Sequence, residues 1–506
     1  MNKKIFLALL LILCLICSGC AEAIDSIPQQ TGSSDATSSA ESDSIQKEDV
    51  VYRFYYDSGD SFHPYEAKTQ TQYSLFSLLY DGLIKISPEY TVEYQIADSV
   101  MIAENTCRIR LKNIRFSDGS AVTAEDVVYS FEQAKQSALY GKQLSKAESC
   151  EVQDGEIVIS LTDSNRFFVY DLDFPIIKKS TGTESIPVGC GRYVLEKNGN
   201  SYRMVTNMQY PDAKKLPDIE LTVLKSNDSM LYAVKTGAIT GYLEDSGEDA
   251  VATIGTWTAS VSLNHLVFVG VNPESEVLSD ERVRQAILLS IDSNAILTQA
   301  YGSQGVIASA PVNPRLTDNM SYDFSAQELY NVDAAKELLE QAGYQISDTS
   351  VRKNRKGQML SVRILVNKNN SARYSTAYLI SGMLESVGFA AEIEKVSYDE
   401  YLERIESGEF DLYIGETSQL LDSSLDVFLT GSASYGIGQD SKLTFAAAAK
   451  KFFKSQKGEQ AFFDAVFEQV PMIPLLYRNG LMIYSKSIEN KVITAPHDMF
   501  YNIADW

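Results

Sequence analysis

Three histidines, His63, His265 and His497, are the only imidazoles in the 506-residue chain. No two of them stand at a spacing that would bind a metal or pair an acid with a base. His63 precedes Pro64 in a loop, and His265 opens the apolar run HLVFVGVN. A hydrogen-bonded structural role fits each of them better than catalysis. Cys190 sits between Gly189 and Gly191, a setting that could expose a nucleophile. A thiol needs a neighbouring base or cation to become a thiolate, and no histidine is close in sequence. The mature chain has no CxxC pair for zinc, and GxSxG, HExxH, P-loop and GxGxxG patterns do not occur. These residue types point away from an enzyme and imply no cofactor and no metal centre. Binding is the chemistry left to consider.

The stretch with the strongest local pattern is Cys107 to Glu132, CRIRLKNIRFSDGSAVTAEDVVYSFE. Cys107, Ile109 and Leu111 alternate with Arg108, Arg110 and Lys112, the period of a half-buried strand. Asp118-Gly119 makes a turn. Thr123 is the N-cap of a helix, with Asp126 as its reciprocal partner, and Val127, Val128 and Phe131 form the apolar stripe.

This wording resembles the signature of the family 5 extracellular solute-binding proteins, the substrate receptors of ABC importers for peptides, nickel and some sugars. Four further motifs carry the resemblance in order. They are Tyr80-Asp81-Gly82-Leu83, then Pro187 to Tyr193 (PVGCGRY), Asp280 to Ile287 (DERVRQAI) and Ala335 to Tyr344 (AKELLEQAGY). The family has Thr where Cys190 stands. The resemblance implies an α/β, two-lobed periplasmic-binding-protein-like fold (type II, cluster C), with an extra inserted lobe and a cleft between lobes. It implies a monomeric, non-catalytic receptor that closes on a small peptide or related polar solute and delivers it to ABC permease subunits. A receptor that presents its ligand for signalling is the alternative. Binding of nickel or a metal chelate is a second, weakened by the scarcity of histidines.

Residues 1–20 read as a secretory signal: Lys3 and Lys4, then the apolar run 5–17, then Ser18-Gly19-Cys20. They resemble a lipoprotein signal with Cys20 as the lipid attachment residue, although Cys17 replaces the usual leucine. The lipid would tether the protein to the outer face of the cell membrane or to its periplasmic face. No later stretch is apolar and long enough to span a bilayer. Residues 21–49 are rich in Ser, Thr, Asp and Gln and read as a flexible tether. Net charge is −23, and −25 once Lys3 and Lys4 leave with the signal. Such acidity argues against nucleic acid or an anionic lipid surface as partner. Among Cys107, Cys150 and Cys190 one disulfide can form, most readily Cys107 with Cys150 because both fall in one expected lobe.

About 455 residues remain, enough for two or three domains. Hairpins are expected around Asp154-Gly155 and around 198–200, and a strand at 488–493. After His265 to Asn272, helices 280–290, 332–343, 371–388 and 398–407 alternate with strands 360–366, 390–396 and 410–415, the pattern of a largely parallel, doubly wound lobe. The expected organisation is lobe I at 50–270 with lobe II inserted at about 84–185, lobe III at 271–478, and a return to lobe I at 479–506.

The resemblance also implies where a ligand would sit. Lys68, Thr69 and Gln70 match the place where peptide-binding members pair their backbone with an extended peptide. Across the cleft those members carry W-x-x-D-Y, whose Asp holds the peptide's α-amino group. Here the run is Glu416, Thr417, Ser418, Gln419, Leu420, Leu421, Asp422. Thr417 takes the Trp place and Leu420 the Asp place, so the carboxylate is either lost or supplied by Glu416 or Asp422. Tyrosine, with 29 copies against 2 of tryptophan, is the expected aromatic wall.

Overall fold

The computed structural model describes residues 51–506 except 200, 212, 214–215, 224–229, 246–254, 319, 328, 423, 426–427 and 429–443. The signal, Cys20 and the tether lie outside the described residues.

The chain builds a mixed α/β architecture around three larger sheets. In the first, the opening strand Val51–Tyr55 runs parallel to Asp218–Thr222, which continues through Ser201–Thr206 to Tyr193–Asn198. The second sheet lies in sequence between Tyr55 and Tyr193 and is wholly antiparallel, in the order Ala97–Ala103, Thr106–Leu111, Glu156–Leu161, Ala147–Gln153. Cys107 and Ile109 are buried there while Arg108 and Arg110 face out and reach Glu156 at 3.7 and 2.6 Å. The helix Ala124–Gln136 packs on this sheet and begins with a complete capping box. Asp126 N–H donates to Thr123 Oγ1 at 3.3 Å, and Thr123 N–H donates to Asp126 Oδ2 at 3.0 Å. Asp126 Oδ1 also accepts from Lys179 N–H at 2.8 Å, so the cap ties down a second loop.

The third sheet has seven strands, and two long ones run through its middle, Trp257–Val271 and Met472–Tyr484. They pair antiparallel along most of their length, with a register shift between Ser262 and His265. Gly241–Glu244 and the short Gly305–Ile307 pair with Met472–Tyr484, and Leu412–Ser418, Ser361–Asn367 and Ala390–Val396 add beyond Trp257–Val271. Only these last three are parallel to one another, so the sheet is mixed rather than largely parallel. The chain enters and leaves through two long strands that run against the Leu412–Ser418 strand or against each other. That arrangement needs no crossover helix. The run HLVFVGVN is apolar throughout because both faces are covered. Val267 and Val269 join a core with Ile287, Ile364 and Ile380, while Leu266 and Phe268 join a larger core with Leu365 and Tyr413.

Several of the motifs position the backbone. Arg192 is buried and donates to Phe500 O, Ser77 O and both oxygens of Asp498, tying the chain's end to the helix Gln70–Leu79. A Cβ at Gly191 would lie 2.4 Å from the carbonyl carbon of Leu79, so the PVGCGRY loop needs glycine where it crosses that helix end. Arg284 is equally buried and donates to the carbonyls of Leu278 and Gln469.

Two expectations are corrected. Residues 488–493 form no strand; Ile488 and Val492 are buried by loop packing, so their apolar character came from the core and not from a ladder. Cys107 and Cys150 lie in one sheet but are not bonded to each other. Both are register partners of Ile159, one on either side of its strand, and all three mature cysteines of the described residues are free. Two strand spacings put their backbones about 9.5 Å apart, beyond the ~7 Å a disulfide allows.

Candidate ligand-binding site

The register shift in the long strands is where side chains gather. Asn264 adopts a left-handed backbone (φ 55°). Its amide donates to the carbonyls of Gln419 and Leu420 at 2.9 and 3.0 Å, and its own oxygen accepts from Asn313 at 2.8 Å. Asn313 also donates to Tyr90 Oη at 3.1 Å, and Tyr90 in turn bonds Ser262. The Gln419 side chain accepts from Tyr477 and donates to Pro311 O at 3.0 Å. Segments far apart in sequence therefore converge on one irregularity.

Beside it lies a cavity of about 230 Å³. One wall is Ser262 to His265. Another is Ser418 to Leu421, and a third comes from the helix Gln70–Leu79, through Gln70, Tyr73 and Ser74. Tyr170, Asp171 and Gln143 close it from the inserted sheet's side, and residues 495–499 from the chain's end. Tyr73, Tyr170, Leu139, Leu243, Leu263 and Met499 give it apolar surface, so tyrosine does form part of the wall. Its described lining holds three carboxylates, Asp171, Asp245 and Asp498, and no Lys or Arg. Arg478 pairs with Asp245 at 2.8 Å and Arg192 with Asp498 at 2.9 Å, so two of the three are neutralised from behind.

Asp171 differs. It ends the short 3-10 turn Phe168–Asp171, is only 2% exposed, and its Oδ1 has no hydrogen-bond partner. Burial pushes its carboxyl well above the usual range, and Asp422 and Asp173 add to the rise while Lys146 opposes it. Asp173 is itself engaged, by His497 Nδ1 at 2.7 Å and Gln143 Nε2 at 2.5 Å.

The residues singled out from the sequence divide. Gln70, Ser418 and Gln419 line the cavity together with Leu420. The N–H groups of Lys68 and Thr69 are taken by the Asp60 carboxylate at 2.8–3.0 Å, and Thr69 caps the helix that follows. The Thr69 carbonyl accepts from Tyr73 N–H at 3.1 Å, so the backbone groups of Thr69 are taken up by the helix start and by Asp60. Thr417 is buried in its strand opposite Leu266. Neither Glu416 nor Asp422 is among the lining residues. Glu416 Oε1 accepts from Arg478 at 2.9 Å and lies 3.1 Å from His265 Nδ1, and Oε2 lies 3.5 Å from Arg373. Burial alone would raise its pKa, but His265, Arg478 and Arg373 outweigh it and hold the carboxyl at about 2. Asp422 accepts from Asn165 at 2.9 Å and from Ser424 N–H at 2.8 Å. Asp171, Asp245 and Asp498 went unnoticed in the sequence. The one signal was FFVYDLDFPII, where two acids interrupt an apolar run, because buried acids are rare.

The histidines are satisfied. His63 is buried, with Nδ1 receiving Tyr65 N–H at 3.2 Å and Nε2 3.0 Å from Gly182 O. Burial pushes the Cys190 thiol far up, away from a reactive thiolate. Among the described residues, no group of three or more His, Cys, Asp or Glu side chains is placed to hold a metal ion, and no helix is long and apolar enough to cross a membrane.

Comparison with known proteins agrees with this fold. The oligopeptide-binding protein AppA of Bacillus subtilis is 20% identical over 470 residues, covering 85% of this chain and 86% of that protein. A crystal structure of a nickel ABC transporter protein from Bacillus halodurans superposes with a TM-score of 0.72 at 18% identity, covering 89% of this chain and 98% of the other. The B. subtilis AppA structure in complex with a nonapeptide superposes at 0.56 with 19% identity, covering 90% and 98%. The sequence model of the bacterial extracellular solute-binding proteins, family 5 (middle region), matches residues 91–438, and the chain belongs to that family.

Proposed function

We propose that this chain is the ligand-capturing subunit of an ABC importer, taking small peptides or a related small polar solute into the cavity between Gln70 and Ser418–Leu421. The observation that carries the reading is the shared lining of that cavity by segments from both ends and the middle of the chain, beside the irregularity at Ser262–His265. A partly apolar cavity with a few convergent polar groups is the usual form of a small-molecule site. The lobes take the boundaries expected above, 50–270 with an insertion at about 84–185, 271–478, and 479–506. The paired long strands join them, and the register shift is the point about which they close on ligand. The oligopeptide- and nickel-named relatives support peptide import, with metal-chelate import as the second reading. The protein acts as a monomer without catalytic activity, hands its ligand to permease subunits, and is held outside the membrane by a lipid on Cys20.

Native mass spectrometry of protein purified from its own membranes tests the reading. A co-purifying mass of a few hundred daltons, released on denaturation and identified as a peptide, is expected. A chain that never carries a ligand and binds no peptide contradicts it. Cys20→Ala should leave the protein unprocessed or release it from the membrane fraction; full processing and retention would remove the lipid anchor from the account.

A further inference from the structure

Leu420 brings no charge to the cavity wall, and neither Glu416 nor Asp422 lines the cavity. We propose that Asp171, from the opposite wall, is the ligand-anchoring carboxylate, and that the ligand presents a primary ammonium group to it. This rests on the cavity being the ligand site. Three observations carry it. Asp171 lines the cavity, is 2% exposed, and leaves Oδ1 without a partner, although leaving a buried acceptor unpaired is costly. The other two lining carboxylates already have arginine partners. No Lys or Arg stands among the described lining residues, so a cation meets no like charge there and an anion would meet no counterion. Burial and the neighbours Asp422 and Asp173 make an ionised Asp171 costly in the empty site, with Lys146 the one opposing charge. A bound ammonium supplies the missing counter-charge. Ser418, Gln70 and the tyrosine walls are then left for the remainder of the ligand.

The test uses the full chain and pairs of tri- to pentapeptides of identical sequence, with a free or an acetylated amino terminus, titrated by calorimetry. Wild-type protein should prefer the free amine by about 100-fold, the scale of an unpaired buried charge. Asp171→Asn should abolish that preference while melting no lower than wild type, since it removes a buried charge whose Oδ1 has no hydrogen-bond partner and which Asp422 and Asp173 oppose. Equal affinity of wild type for both peptide forms overturns the proposal, and so does an Asp171→Asn protein that keeps the preference. Both outcomes leave peptide capture standing. If Asp171→Asn fails to fold, equal affinity of wild type for the two peptide forms still overturns the proposal. Binding of no peptide at all overturns peptide capture and this assignment together.

Discussion

Arg478 reaches Glu416 across the strand that carries His265. His265 is the register partner of Arg478 on one side and of Ser418 on the other, and the guanidinium lies 2.9 Å from Glu416 Oε1. This makes Glu416 a structural ion that locks the middle of the large sheet. Glu416→Gln should therefore destabilise the protein by about 3 kcal/mol, because it leaves buried arginines short of a counter-charge. Peptide affinity should change less than stability does. Thermal melting and calorimetry on the same variant check both.

Glu416 also sets a pH dependence. Its carboxyl is held at about 2 in the folded protein against an ordinary value of 4.5. The folded state binds this proton more weakly than the unfolded state. The stabilisation is therefore complete above about pH 4.5 and is lost as pH falls toward 2, a change of about 3 kcal/mol. Glu416→Gln should flatten that portion of the stability curve; an unchanged acid limb would show that other carboxylates dominate it.

The Thr123–Asp126 box holds the start of the Ala124–Gln136 helix and lies outside the cavity lining. Thr123→Ala should cost about 1 kcal/mol, with faster hydrogen exchange confined to the first helical turns and the Lys179 loop. Ligand affinity should be unaffected.

The cysteines should behave as three separate thiols. Burial pushes Cys107 and Cys150 up to about 12 and Cys190 further, so all three should resist alkylation in the folded protein. After denaturation without reductant, peptide mapping should find Cys107, Cys150 and Cys190 all alkylated. A Cys107–Cys150 crosslinked peptide would contradict the sheet order.

Elements governed by local rules were legible in the sequence. Ser397 and Gly408 bracket the helix Tyr398–Ser407, and Asp154-Gly155 makes its hairpin with both residues at positive φ. The turn between Ala103 and Thr106 was missed because Glu104, without a glycine, takes the left-handed conformation there. The first half of Trp257–Val271 was missed because it is largely exposed and lacks the apolar run that marks its second half. Gln70, Ser418 and Gln419, which line the cavity, lie in segments that motif resemblance singles out. Asp171 was not, because its significance comes from neighbours contributed by distant segments, such as Asp422 and Lys146. The ion pairs of Glu416 were not legible for the same reason: nothing near it in sequence announces Arg478 or His265.

The most direct test of the account fills the cavity and measures binding. Leu420 is half-buried on the cavity wall. Leu420→Trp places an indole where the ligand would lie. Calorimetry with a peptide that binds wild type should show an affinity loss of about 100-fold or more, equivalent to roughly 3 kcal/mol, while the melting temperature stays within a few degrees of wild type. Undiminished binding by a folded Leu420→Trp protein would place the ligand elsewhere and contradict the site.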